Sequence, residues 1–79
     1  MNYQRIYDSL ISNAQSRKET SGYTEIHHIH PKSLGGTDDE DNLFTLTAKE
    51  HYVAHHLLYL IYKDTEYAQP MAFACIVCL

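Results

Sequence analysis

The sequence predicts a small α+β domain, two short strands set between helices. Three observations carry that reading. Apolar residues recur at helical spacing near the start; two β-prone runs then flank a glycine-containing loop; and a Thr-x-x-Glu cap opens a second helix that carries histidines four residues apart. At 79 residues with a formal charge of −4, the chain is one small domain. Its core alone would leave it marginal, so a bound metal is a natural source of further stability.

The first element is a helix over roughly residues 3 to 17. Tyr3, Ile6, Tyr7, Leu10, Ile11 and Ala14 fall on one of its faces, and Arg5, Asp8, Ser9, Ser12, Gln15 and Ser16 fall away from it. Thr20, Ser21 and Gly22 are turn formers that end it, so residues 1–22 read as a supporting helix and turn. Tyr23 to Ile29 reads as a strand, closed by Pro31, which cannot continue a ladder. The next stretch is a loop with a tight turn at Gly35–Gly36 and an acidic run, Asp38 to Asp41, expected to be solvated. Leu43 to Leu46 is a second strand, able to pair with the first as an antiparallel hairpin.

Thr47 and Glu50 form a capping box, so the next helix should run from about Ala48 to Tyr62. At 100° per residue His51, His55, Leu58 and Tyr62 share one side. Val53, Ala54, Leu57, Leu60 and Ile61 share a second side, assigned to the core; Lys49, Tyr52, His56 and Lys63 share a wet third. Residues 23–63 thus hold the functional core. Residues 64–79 add a polar break and an apolar helix that Pro70 can start. The apolar run reaches Leu79 without polar closure, so a continuation is expected. Cys75 and Cys78 make a single CxxC, expected to be buried thiols. No apolar run approaches the roughly 20 residues that span a bilayer, and no signal segment opens the chain. A soluble, intracellular protein with no membrane partner is expected.

All six histidines lie between His27 and His56. His51 and His55, at i and i+4 on one helix face, can reach one metal ion, and a third ligand would come from His27, His28 or His30. Strand parity places His28 and His30 on one side and His27 on the other, which leaves the choice open.

From Glu25 to His55, the pattern H-H-I-x-P-x-x-x-G-G…N-L-x-x-L-T-x-x-E-H-x-x-x-H resembles an HNH endonuclease, one of the ββα-metal nucleases. It is similar in particular to small bacteriophage HNH enzymes of homing type. The resemblance implies a ββα-metal core preceded by the amphipathic helix and followed by the apolar one. It assigns His27, His51 and His55 as metal ligands, His28 as general base, and Asn42 as the residue holding loop or base in register. His30 and His56 match no functional position. The implied reaction is hydrolysis of DNA phosphodiesters with one divalent ion (zinc, manganese, nickel or magnesium), leaving a 5′ phosphate and a 3′ hydroxyl. No small-molecule cofactor is implied, and a phage origin would place the protein in the host cytoplasm. A histidine base and histidine ligands further imply loss of activity on acidification through about pH 6. The net acidity opposes tight DNA binding by bulk electrostatics. A non-catalytic, metal-stabilised nucleic-acid-binding module is the alternative.

Overall fold

The computed structural model describes residues 1–17 and 22–77. Its elements are α1 (Tyr3–Ser16), β1 (Glu25–His28), β2 (Leu43–Leu46), α2 (Ala48–Tyr62) and α3 (Ala68–Val77), with single 3-10 turns at Lys32–Leu34 and Glu40–Asn42. The strands form one antiparallel hairpin in which Glu25 faces Leu46, Ile26 faces Thr45, His27 faces Phe44 and His28 faces Leu43. The α+β order expected from the sequence is the observed one.

Asn2 caps α1 by accepting a hydrogen bond from the Arg5 amide at 3.0 Å. The helix buries Tyr7, Ile11 and Ala14, a narrower stripe than the sequence pattern, since Ile6 at its edge is 41 % exposed. The expected turn at Thr20–Ser21 lies outside the described residues.

β1 is shorter than the expected Tyr23–Ile29. Beyond His28 the Ile29 amide donates to the Asn42 carbonyl at 2.9 Å, and the chain bends toward Pro31 instead of pairing with β2. The turn at the two glycines is present, for two different reasons. Gly35 has a φ of 95°, a left-handed conformation that glycine adopts without strain. Gly36 is needed for closeness: a Cβ there would sit 1.8 Å from the His30 carbonyl oxygen.

The capping box forms as expected at the start of α2. Thr47 Oγ1 accepts from the Glu50 amide at 3.2 Å, and Glu50 Oε1 accepts from the Thr47 amide at 2.9 Å. The second Glu50 oxygen pairs with Arg17, just past α1. α2 packs against both α1 and α3. That double contact rotates its covered arc: Ala54, Leu57 and Leu58 are buried, whereas Val53, assigned to the core by helical arithmetic, is exposed.

The core joins Tyr7, Ile11 and Ala14 of α1 to Leu46 of β2, to Ala54, Leu57 and Leu58 of α2, and to Met71 of α3. Completely burying a side chain such as Leu46 contributes about 2 kcal/mol. Pro70 falls in the first turn of α3, where no amide is required. Cys75 is half-exposed, not buried as expected, because α3 turns only Met71 fully inward; Cys78 lies outside the described residues. Among the described residues no helix is long and apolar enough to cross a membrane.

Candidate metal centre

The site is built where the inner face of β1 meets the first two turns of α2. The pleat sends Glu25 and His27 inward and leaves Ile26 63 % exposed. His27 is 1 % exposed and, with Leu46, is among the largest fully buried side chains. His51 and His55 stand one helical turn apart, with ring centroids 4.6 Å from each other and 5.1 and 5.2 Å from that of His27. One nitrogen from each of the three rings lies within 4.8 Å of the others.

The hydrogen bonds around the rings define which nitrogens are free. The Tyr7 hydroxyl donates to the Ile29 carbonyl at 2.7 Å, so at 2.7 Å from His27 Nε2 it acts as acceptor. His27 therefore carries its hydrogen on Nε2, and its Nδ1 is buried with no protein partner. His51 Nδ1 lies 2.7 Å from Glu25 Oε1. The Tyr23 hydroxyl first, then the His51 ring, hold the Glu25 carboxyl below its usual range, so the carboxylate accepts the His51 hydrogen. His51 Nε2 is left bare, 3.0 Å from His55 Nε2.

Burial first, then the neighbouring His55, His51 and His28, pushes the His27 pKa down to about 3. Burial first, then His51, pushes His55 down to about 4 against an opposite pull from Glu25. Both rings stay neutral, the form that ligates metal. With His51 Nε2 bare, the hydrogen of its contact with His55 lies on His55 Nε2, while the Nδ1 atoms of His27 and His55 are buried without a partner. Neutral imidazoles gathered this closely, with orphaned ring nitrogens, suit a cation. The cluster can hold a metal ion.

His28 is not in this cluster. It lies where β1 ends, and with His51, His55, Pro31, Lys32 and Met71 it lines a cleft of about 310 Å³. That strand end removes the parity difficulty: alternation stops at His28, so rings from both sides of the pleat can serve one region. His28 Nε2 lies 2.8 Å from Asp38 Oδ1, whose other oxygen takes a 2.8 Å contact from Lys32. Lys32 first, then His28, hold the Asp38 carboxyl below its usual range.

Asn42 bonds to backbone only. Its Oδ1 accepts from the His30 amide at 2.8 Å, and its Nδ2 donates to the carbonyls of His30 and Thr37 at 3.0 and 2.7 Å. It clamps the two ends of the glycine loop. The His30 ring donates to the Leu34 carbonyl at 3.0 Å, and the exposed His56 lies 3.9 Å from Cys75 Sγ, both away from the cluster.

Sequence reasoning missed four contributors. Glu25 could have been found, since it stands two residues before His27 and so shares its strand face. Tyr7 sits on the inner stripe of α1 but gave no sign of its reach. Asp38 is one of four acids expected to be solvated, and nothing in the sequence singles out Lys32.

Comparison with known proteins now adds to the geometry. The model of the HNH endonuclease family matches residues 15–56. Probable mobile endonuclease E of Enterobacteria phage T4 is 56 % identical over 62 residues, covering 78 % of this chain and 44 % of that protein. Probable mobile endonuclease C of the same phage is 52 % identical over 71 residues, covering 85 % and 33 % respectively. Probable mobile endonuclease B is 43 % identical over 79 residues, covering 95 % and 30 %. The chain spans less than half the length of these curated relatives. No solved structure gave a significant match.

Proposed function

The chain belongs to the HNH endonuclease family, and on that premise we propose that it hydrolyses DNA phosphodiester bonds with one divalent ion held by His27, His51 and His55. The observation that carries this reading is the convergence of three histidine nitrogens, one of them buried and without a partner, beside the cleft that His28 lines.

A bound ion would supply Lewis-acid stabilisation of the charge that grows on the phosphate and the leaving oxygen. His28 acts as general base. Its Nε2 hydrogen is engaged by the Asp38 carboxylate, which leaves Nδ1 to take a proton from the attacking water. Asn42 acts on position, holding the loop from His30 to Thr37 so that the end of β1 keeps its bend. Neutral imidazole ligands favour zinc, nickel or manganese over magnesium. The phage relatives are named as mobile endonucleases, which supports DNA as the substrate.

The test is plasmid cleavage with each of these ions, comparing the wild-type protein with His28→Ala. The wild-type should relax or linearise the plasmid. The variant should lose about 10²- to 10⁴-fold of the rate while binding zinc as well as before. Undiminished cleavage would remove His28 from its role, and a gel shift without cleavage by the wild-type would favour a binding module.

A further inference from the structure

We infer that Tyr7 and Glu25 are the positioning residues of the metal centre, fixing opposite tautomers on two ligands so that His27 presents Nδ1 and His51 presents Nε2. The inference rests on the metal-site reading above and extends it to two residues that no comparison singles out. Tyr7 lies on α1, outside the residues 15–56 that match the family.

The argument is one of hydrogen count. A phenol has one hydrogen, and the Ile29 carbonyl, 2.7 Å away and able only to accept, claims it. The contact between Tyr7 and His27 Nε2 can then exist only with the hydrogen on the imidazole. The tautomer of His27 is thus set by a backbone carbonyl two residues along the chain, relayed through a side chain of α1.

Glu25 does the reverse. Its carboxylate takes the Tyr23 hydroxyl at 2.6 Å and His51 Nδ1 at 2.7 Å, so the His51 hydrogen must be on Nδ1. An ionised partner on the far nitrogen also raises the basicity of the near one. His27 and His51 therefore enter the site by different nitrogens. His55 has no hydroxyl or carboxylate partner: its Nε2 donates to the bare His51 Nε2 at 3.0 Å, and its Nδ1 is buried and unbonded. Two rings are preset from outside the cluster, and the third follows His51.

The test uses the full chain, with ¹⁵N-labelled histidine read by two-bond nitrogen–proton NMR correlations without metal, and zinc affinity by calorimetry. The wild-type should show His27 as the Nε2–H tautomer and His51 as the Nδ1–H tautomer. Tyr7→Phe should mix the tautomers of His27 and leave His51 unchanged, and Glu25→Ala should mix those of His51 and leave His27 unchanged. Zinc affinity should fall about 10- to 100-fold in each. Glu25→Gln keeps an acceptor oxygen and should restore the His51 tautomer and most of the affinity. If either variant melts early, the tautomers are read below its melting temperature, where a merely structural role would leave them unchanged. Wild-type tautomers opposite to these, or unchanged tautomers in the variants, would overturn the inference even with tight zinc binding. Correct tautomers in a protein that binds no zinc would instead sink the metal reading, and the assignment of Tyr7 and Glu25 to a metal centre with it.

Discussion

His27 and His28 are neighbours in the chain and opposites in setting. The inner face of β1 buries His27 to 1 % exposure, anchors one nitrogen on Tyr7 and leaves the other unpartnered in a cluster of rings. The outer side leaves His28 a third exposed, steadied by a surface carboxylate and a lysine. The strand pleat alone produces this division. The division suits the proposed roles: a ligand must be rigid and dry, while a base must meet water and substrate, and on that proposal one dipeptide would supply both.

The sharpest way to break the comparison is to remove each ring in turn. His27→Ala leaves a buried hole and removes the ring that donates to the Tyr7 hydroxyl, so it should cost about 3 kcal/mol of stability and abolish measurable zinc binding. His28→Ala should change stability by about 0.5 kcal/mol or less and leave zinc binding intact. Thermal melts and calorimetry decide. Equal effects from the two would mean that burial does not separate the roles.

Chelation probes the inner side alone. At free zinc 100-fold above its dissociation constant, binding should stabilise the fold by about 2.7 kcal/mol, and EDTA should remove that gain. An unchanged melting temperature would deny the cluster any hold on the ion. On the outer side, Asn42→Ala strips three bonds from the loop clamp and should cost about 2 kcal/mol in a denaturant titration, with His51 and His55 still able to bind zinc.

Acid distinguishes the two sides further. In the folded protein without metal, His27 and His55 have pKa values lowered to about 3 and about 4, against roughly 6.5 in an unfolded chain. Between these values the unfolded chain holds more protons, so stability falls as pH drops through the window and levels off below it. Melting temperature should decline steadily below about pH 6.5, and His55→Gln should flatten that slope above the range where carboxylates titrate. A wild-type profile flat from pH 7 to 5 would contradict burial as the cause. The smallest effect belongs to Asp38→Asn, which should slow cleavage about fivefold or less, the scale of an exposed pair. A loss as large as that of His28→Ala would promote Asp38 to an essential partner of the base.

Much of this was legible in the residues. The spans of β2 and α2 followed from a short apolar run and the Thr47–Glu50 box, because local hydrogen bonding decides both. That His27 and His28 face opposite sides of β1 follows from alternation; which of them turns toward α2 was not legible, since alternation does not say which face of the hairpin the helix covers. Val53 was misassigned because helical arithmetic orders the faces of α2 without saying which neighbours cover them. Tyr7 and Asp38 reach the site across 20 and 10 residues of chain, distances at which sequence spacing carries no geometric information.

Glu50 has a consequence in time as well as in space. Its two oxygens are divided between the Thr47 amide and Arg17, so the first turn of α2 is stitched to the end of α1. Helix ends ordinarily open and close far more often than the whole fold. Here the end in question carries His51, the next residue along. Its amide should therefore exchange hydrogen more slowly than that of a helix end held by a cap alone.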